Sequence, residues 1–368
     1  MKKILFIIYT FSLGGGAVRI LSDLLGNIDR EKYQIDILPY ADYGVKEEAV
    51  PEGVNLMSSI VNMQKAGKLE KALKYFLVHF FPSVLRKIYI KKKYDIEVSF
   101  NYQIPSFLVK ESKGTKAVMW NHGVIDDLKT NKLGFLLQKR SFKRATKIIS
   151  IAENTRDSIL ELYPEFADKL EIIYNGINTE RILESSKIPT EIELKNPSIV
   201  FAGRLEDAKQ PLAVLEAVKI LKGRNKNVYA YFIGQGEQQK ELEEKIREWN
   251  LENNAFLLGY QTNPYPIFLK CDAVCMLSKA EGFPTIFAEG MTLGKPFIST
   301  YVGGVKEMSD NGNCGVIVKT PTECADAIEK IVLDSATNSK MGEYCRKHIT
   351  NFSMEHQKIK LQELFDNL

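Results

Sequence analysis

The chain has 368 residues, of which 45% are hydrophobic and 26% are charged, and its formal net charge is +4. Such a length accommodates two domains with separate cores, and the composition is typical of a globular protein. The small net charge gives no reason to expect a nucleic-acid partner. No apolar run approaches the ~18 residues that span a bilayer, so we do not expect an integral membrane protein.

The chain opens with MKKILFIIYTF, in which two lysines precede an apolar run. We interpret this run as a first buried strand rather than a signal peptide, because it is short and no small-residue cleavage site follows it. Three glycines, Gly14, Gly15 and Gly16, then precede a predicted helix. They would let a bulky ligand approach the backbone, although a tight turn without a ligand is the alternative.

Apolar runs alternate with helical patterns over the first half of the chain, which is typical of a doubly wound parallel sheet. Between Lys65 and Lys93 this pattern changes to a basic segment with a single acid, Glu70. A basic amphipathic helix with bulky aromatic side chains is a candidate for lying on an anionic membrane surface. The alternative is an ordinary helix whose apolar stripe packs on the sheet. The stripe consists of Leu69, Ala72, Leu73, Phe76, Leu77, Phe80 and Phe81.

A lone histidine, His122, ends the predicted strand KAVMWNH and is followed by Gly123. Open α/β sheets bind ligands at the carboxyl ends of their strands, which makes His122 a candidate site residue. A structural histidine is the alternative. Further along, SSKIPTEIELKNP is rich in breakers and is predicted to be a linker.

The second half begins with a predicted strand that ends in Gly203 and Arg204, and Lys209 follows five residues later. Two cations at the carboxyl end of a parallel strand would form an anion site, because arginine offers bidentate donors to a diphosphate and lysine acts as a point charge. Ordinary surface cations are the alternative.

The stretch from Ser278 to Glu307 carries two carboxylates, Glu281 and Glu289, eight residues apart. Between them a turn opens into an apolar helix, whose free N–H groups would face an anion. The two glutamates can then reach different parts of one ligand, unless both are simply solvated. The turn consists of Gly282, Phe283 and Pro284.

Five cysteines are present, an odd number without metal-ligand spacing, and we expect free buried thiols in a reducing cytoplasm. They are Cys271, Cys275, Cys314, Cys324 and Cys345.

The motif E-G-F-x5-E-G-M-x2-G-x-P-x-I-x-T, followed by G-G-x-x-E, resembles the retaining glycosyltransferases of family 4. The spacing G-R-L-x3-K and the turn I-I-Y-N-G-I-N are similar to further signatures of that family. The resemblance covers essentially the whole chain, and it is tighter after Ser198.

The resemblance implies an α/β protein with the GT-B fold, in which two Rossmann-like doubly wound parallel-sheet domains face a central cleft. The expected N-terminal, acceptor-side domain comprises residues 1–180 and a terminal crossover helix at about 352–368. The expected donor-binding domain comprises residues 197–350.

By the same resemblance, the catalytic residues would be His122 near the donor sugar, Arg204 and Lys209 on the diphosphate, and Glu281 on the sugar. Glu289 would bind the ribose hydroxyls. The remaining donor-binding candidates are Gly15, Gly16, Gly203, Gly259, Tyr260, Gly282, Phe283, Pro284 and Thr285. For Gly259 and Tyr260, suggested to lie beside the base, a simple turn is an equal explanation.

The expected reaction is hexosyl transfer from a nucleotide-diphosphate sugar, taken to be UDP-linked, to a hydroxyl of a lipid-linked glycan, with retention. No D-x-D motif is present, and its nearest equivalent is Asp95-Ile96-Glu97. We therefore expect no cofactor and no metal, since the cations above would do the work of Mg²⁺.

The resemblance also suggests assembly of a surface polysaccharide in the cytoplasm, with peripheral binding to the inner face of the membrane. Two other functions remain open. One is a nucleotide-sugar epimerase with the GT-B fold, and the other is a non-catalytic membrane-associated partner of another transferase.

Overall fold

The computed structural model describes residues 1–12, 16–45 and 50–368. The chain forms two compact units, one comprising residues 1–176 and 354–368 and the other residues 177–353. The sequence analysis placed the end of the first domain at residue 180 and a linker after it. In the structure residues 177–180 and the predicted linker both lie in the second unit. The Ile177 N–H donates to the Phe352 carbonyl at 2.8 Å, and helix Thr179–Ser186 packs within that unit.

The first unit is built on an eight-stranded parallel sheet. Its strands are β1 (Lys2–Thr10), β2 (Tyr33–Asp42), β3 (Val54–Leu56), β4 (Val61–Asn62), β5 (Ile96–Phe100), β6 (Lys116–Asn121), β7 (Lys147–Ser150) and β8 (Leu170–Ile172). The spatial order is β3-β2-β1-β5-β6-β7-β8, and β4 pairs with β2. The apolar run at the start of the chain is therefore a buried strand, β1, as the sequence analysis predicted.

The helices of the first unit cover a core that consists of aliphatic and aromatic side chains. They are α1 (Gly16–Asn27), α2 (Lys68–Phe80), α3 (Pro82–Tyr89), α4 (Ile104–Phe107), α5 (Lys132–Lys143), α6 (Glu153–Leu162) and, from the far end of the chain, α15 (Met354–Asp366). Phe365 of α15 is fully buried, with its ring centroid 6.5 Å from that of Phe6 and 5.7 Å from that of Tyr33.

The second unit has a six-stranded sheet whose order is β11-β10-β9-β12-β13-β14, and every pairing is parallel. The strands are β9 (Ser198–Ala202), β10 (Tyr229–Ile233), β11 (Ala255–Gly259), β12 (Ala273–Met276), β13 (Phe297–Ser299) and β14 (Gly315–Ile317). This is the doubly wound order of dinucleotide-binding folds, in which the winding direction reverses between the first and fourth strands of the unit.

The helices of the second unit are α7 (Thr179–Ser186), α8 (Pro211–Gly223), α9 (Gln239–Glu248), α10 (Tyr265–Lys270), α11 (Thr285–Thr292), α12 (Val305–Ser309), α13 (Pro321–Val332) and α14 (Ser335–His348). All five cysteines are buried free thiols in this unit, as the sequence analysis expected. Burial raises the pKa of Cys271 to about 12.

Candidate active site

The candidate site lies where the winding of the second sheet reverses, between the adjacent strands β9 and β12. At this point the chain leaves the two strands in opposite directions, which opens a crevice at their carboxyl ends. Two connections line the crevice. We call residues 203–210, which lead from β9 to α8, the β9 loop, and residues 277–284, which lead from β12 to α11, the β12 loop.

A charged pair joins the two loops. Lys209 of the β9 loop donates through Nζ to Oε1 of Glu281 in the β12 loop, and both side chains are largely buried, with exposures of 20% and 12%. The Ser278 hydroxyl donates to the same oxygen, Oε1, at 2.8 Å. Oε2 of Glu281 has no hydrogen-bond partner among the described residues. The carboxylate is thus anchored through one oxygen while the other is available to a ligand.

Further contacts fasten the loops to each other and to the sheet. The Lys279 N–H donates to the Ala208 carbonyl at 2.9 Å, and the Lys279 ammonium forms an exposed ion pair with Asp207 at 2.6 Å. Behind them, the Thr300 hydroxyl donates to the Ser278 carbonyl at 2.5 Å. The Lys209–Glu281 pair therefore rests on a backbone that is held from two sides.

Arg204 is not part of this pair. Its side chain is 75% exposed and contacts Glu206 at 2.9 Å. The N–H of Gly203, which precedes it, donates to Ile233 at 2.9 Å and so continues the sheet rather than facing a ligand. The β9 loop thus provides one largely buried cation, Lys209, and one exposed cation, Arg204.

Two glycines are required by close backbone approaches beside the loops. Gly303 has φ +48°, and a Cβ there would lie 2.5 Å from the Gly282 carbonyl oxygen. Gly234 has φ +135°, and a Cβ there would lie 1.9 Å from the Gly203 carbonyl oxygen. A side chain at either position would displace the neighbouring loop, so Gly234 and Gly303 are needed to keep the two loops in their positions.

Helix α11 begins at Thr285, directly after Pro284, and no side chain caps its first turn. Its first N–H groups have no helical acceptor and carry the positive end of the helix dipole. Glu289 lies within α11 and is partly buried. Phe283 is buried, with its ring centroid 5.7 Å from that of Phe352, so it packs in the core of the unit.

Gly259 and Tyr260 lie at the end of β11. The Gly259 carbonyl accepts a hydrogen bond from the Gly234 N–H at 2.8 Å, and the Tyr260 side chain is 70% exposed. Their suggested position beside a nucleotide base stays a prediction.

The first unit contains the histidine that the sequence analysis selected. His122 directly follows β6, and its ring centroid lies 4.1 Å from that of Phe100 and 5.8 Å from that of Trp120. Both ring nitrogens are shielded from solvent without a hydrogen-bond partner in the described residues, and burial lowers the pKa of His122 to about 3. The imidazole is therefore neutral, and it can donate one hydrogen bond and accept another.

Of the glycine loop, Gly14 and Gly15 lie outside the described residues, and Gly16 is the first residue of α1. In the D-x-D-like segment, Glu97 forms a bidentate ion pair with Arg86, at 2.7 and 2.8 Å, and Asp95 accepts the Lys3 N–H at 2.7 Å. Within the described ranges, no group of three or more histidine, cysteine or acidic residues could hold a metal ion.

Helices α2 and α3 expose most of the apolar stripe found in the sequence. Val78 is the one buried residue of α2, whereas Leu69, Leu73 and Phe76 are 88%, 57% and 49% exposed. The exposed set continues through Phe80, Phe81, Val84 and Ile88. We call these seven residues, with the lysines around them, the α2–α3 surface. In the part of the chain that the structure describes, no helix is long and apolar enough to cross a bilayer.

Sequence reasoning missed three contributors: Ser278, which holds Glu281, and the Asp207–Lys279 pair, which joins the loops. A polar residue just after a buried strand was the available signal for Ser278. No local signal points to the ion pair, because its partners are 72 residues apart.

Two family models match this chain. "Glycosyltransferase Family 4" matches residues 14–181, and "Glycosyl transferases group 1" matches residues 184–348. Together they account for nearly all of the first 348 residues.

Among curated relatives, the N-acetylgalactosamine-N,N'-diacetylbacillosaminyl-diphospho-undecaprenol 4-alpha-N-acetylgalactosaminyltransferase of Campylobacter jejuni is 30% identical over 47% of each chain. A second transferase of that organism, GalNAc-alpha-(1->4)-GalNAc-alpha-(1->3)-diNAcBac-PP-undecaprenol alpha-1,4-N-acetyl-D-galactosaminyltransferase, is 24% identical and covers 97% of this chain and 96% of its own. For the first of these relatives, and for an uncharacterized glycosyltransferase of Methanocaldococcus jannaschii, the chain spans about half the relative's length, 47% and 50%.

Solved structures show the same fold. HepE of Anabaena in complex with UDP has a TM-score of 0.76 at 18% identity, and all of both chains is covered. A glycosyltransferase from Rickettsia africae has a TM-score of 0.78 at 19% identity, covering 100% of this chain and 98% of that one. At this identity the likeness concerns the GT-B fold alone.

Proposed function

Because the chain belongs to the glycosyltransferases of group 1 and family 4, with the GT-B fold, we propose that it moves a hexosyl group from a UDP-linked sugar to a hydroxyl of a lipid-linked glycan. UDP is favoured as the carrier because HepE, which has a similar fold, was crystallised with UDP. A lipid-linked acceptor is favoured because both Campylobacter relatives are named for undecaprenol-linked substrates. We place the reaction in the cytoplasm, in polysaccharide assembly.

The diphosphate would lie against Lys209 and the first turn of α11, and the exposed guanidinium of Arg204 would close on it from solvent. As the glycosidic bond breaks, negative charge grows on the departing nucleoside diphosphate. Fixed donors and cations stabilise that charge more than they stabilise the intact donor, so they lower the barrier.

The two glutamates would hold the sugars on either side of the diphosphate. Oε2 of Glu281 is available to accept a hydrogen bond from a hydroxyl of the transferred sugar, while Oε1 stays with the Ser278 hydroxyl. Glu289, in α11, would accept hydrogen bonds from the ribose hydroxyls. By the family resemblance His122 would also contact the transferred sugar, and this requires its ring to turn so that a nitrogen shielded in the structure becomes accessible.

Retention follows if the acceptor attacks the face that the leaving group departs from. The acceptor oxygen forms the new bond to the anomeric carbon, the bond to the diphosphate oxygen breaks, and the leaving phosphate takes the acceptor's proton. This route needs no carboxylate on the opposite face of the sugar. It also needs no metal, because Lys209, Arg204 and the helix terminus carry the charge that Mg²⁺ carries elsewhere.

The observation that carries the proposal is the Lys209–Glu281–Ser278 arrangement at the point where the sheet reverses its winding. We expect Lys209→Ala to lower turnover by roughly 10² to 10³, as loss of a single transition-state donor does. Lys240→Ala, at an exposed position of α9, should leave turnover unchanged.

The assay is transfer from UDP-glucose or UDP-N-acetylgalactosamine to a polyprenyl-diphosphate glycan, with the product's anomeric configuration read by NMR. An epimerised donor without acceptor, an inverted product, or activity that EDTA abolishes and Mn²⁺ restores would each contradict the corresponding part of the proposal.

A further inference from the structure

We propose that Ser278 is a positioning residue that aims the Glu281 carboxylate at the donor sugar. This inference rests on the proposed function, and it names the residue on which recognition of the sugar, as distinct from the nucleotide, depends. Ser278 lies two residues after the end of β12, is 1% exposed, and donates to Oε1 of Glu281 at 2.8 Å.

The Ser278 hydroxyl is held on a fixed backbone. The Thr300 hydroxyl donates to the Ser278 carbonyl at 2.5 Å, and the next residue, Lys279, donates its N–H to the Ala208 carbonyl at 2.9 Å. The backbone at Ser278 is therefore held by Thr300, the residue after β13, on one side and by the β9 loop on the other. A hydroxyl on such a support fixes the carboxylate that it contacts, which is how supporting residues orient groups that meet a substrate.

Lys209 alone cannot give the same control. Its ammonium contacts Oε1 of Glu281, but a diphosphate placed beside it would compete with the glutamate for that charge. A lysine side chain is long and flexible, so it can turn toward the phosphates. The Ser278 hydroxyl is uncharged and buried, so the diphosphate attracts it only weakly. It therefore keeps Glu281 in place when Lys209 turns away.

The inference predicts a split between nucleotide and sugar recognition. Ser278→Ala should bind UDP with wild-type affinity, because Lys209, Arg204 and the α11 terminus are untouched. It should lose most of the extra affinity that the sugar adds, and turnover should fall roughly ten- to a hundredfold, the range of a hydrogen bond to a charged group. A serine needed only for folding would not separate the two ligands.

The experiment is calorimetry with UDP, UDP-glucose and UDP-N-acetylgalactosamine on the full chain, together with transfer kinetics. Ser198→Ala is the matched control, because Ser198 is a fully buried serine at the start of β9, away from the site, whose hydroxyl donates to Oδ1 of Asn196 at 2.6 Å. Ser278→Cys keeps the size and a weak donor, and should give an intermediate sugar effect even if the alanine variant does not fold.

Equal losses for UDP and for both UDP-sugars, or unchanged sugar affinity and turnover in Ser278→Ala and Ser278→Cys, would overturn the role of Ser278. A wild-type protein that binds neither UDP nor a UDP-sugar would instead contradict the proposed function itself. The two failures are therefore distinguishable in one series of titrations.

Discussion

The two ring nitrogens of His122 are buried, and the ring packs against aromatic side chains. Its neighbours Phe100 and Trp120 offer no charge, and burial holds the pKa near 3, against about 6.5 for an unfolded chain. Between these two values the unfolded chain binds a proton that the folded protein does not. The free energy of unfolding is therefore unaffected by His122 above about pH 6.5, and it decreases as the pH falls from there toward 3.

Replacing His122 with phenylalanine should remove that pH dependence. Between pH 7.5 and 5.0 the histidine costs the wild type about 2 kcal/mol in free energy of unfolding, a cost that His122→Phe should not have. Urea unfolding at both pH values measures the difference, and the other three histidines cancel because both proteins contain them. If the two proteins lose equal stability on acidification, His122 is not held neutral by burial.

Asn121 forms the turn that presents this histidine. Its side-chain NH₂ donates to the Gly123 carbonyl at 2.8 Å, which closes the backbone around His122. A strand-end histidine before a glycine can be found in a sequence, as it was here. The position of its ring against Phe100 depends on the register between β5 and β6. A local sequence pattern does not predict that register.

The α2–α3 surface exposes seven large hydrophobic side chains to solvent. Isolated exposed hydrophobic side chains are ordinary, but seven in one pair of consecutive helices form a patch that marks an interaction site. Lysines surround it, and the single acid of the segment, Glu70, is paired with Lys74 at 2.6 Å. We propose that this surface lies on an anionic membrane, where a lipid-linked acceptor would be found.

Flotation with liposomes measures that binding. We expect the protein to float with vesicles that contain phosphatidylglycerol and to remain behind with phosphatidylcholine alone, because both apolar insertion and charge attraction are needed. Leu69→Ser with Phe76→Ser should abolish flotation.

The matched control replaces exposed apolar residues of the second unit, Ile188→Ser with Leu269→Ser, which should float as the wild type does. Equal flotation of both double variants would show that this surface is not the membrane contact.

Among the elements, the sequence predicted most of the strands, the turn before α11 and the terminal helix, but not the short strands β3 and β4. It could not decide whether the stripe of α2 faces the sheet or solvent, because both arrangements have the same periodicity. It also could not predict that Lys209 and Glu281 touch, since that contact depends on β9 and β12 being neighbours. The glycosyltransferase family and the doubly wound fold were confirmed, whereas the roles of individual site residues stay predictions.

The whole molecule is assembled from two units, and the first unit is discontinuous in sequence. Helix α15 returns to it after the entire second unit, and the Lys2 ammonium donates to the Phe365 carbonyl at 2.6 Å. The Tyr33 hydroxyl donates to Asp366 at 2.9 Å. The core of this unit is therefore completed by residues from both ends of the described chain.

Truncating a single side chain of α15 should test this dependence. Phe365→Ala removes a fully buried ring and should cost the first unit about 3–5 kcal/mol. The two tryptophans, Trp120 and Trp249, lie one in each unit, so a Trp249→Phe background reports the first unit by fluorescence. Ile359→Ala, at a 44% exposed position of the same helix, is the control and should change little. An equal effect of both substitutions would mean that α15 is not part of this core.

The return of α15 also sets the order in which the two units can complete folding during translation. The amino-terminal unit is translated first, yet the ring that packs on Phe6 and Tyr33 is supplied by Phe365, hundreds of codons later. The intervening unit is a continuous stretch whose ends are paired through Ile177 and Ser353, so it can close as soon as it is synthesised. The segment made first is thus the last to be finished, and until then it leaves an apolar site that nascent-chain chaperones would be expected to cover.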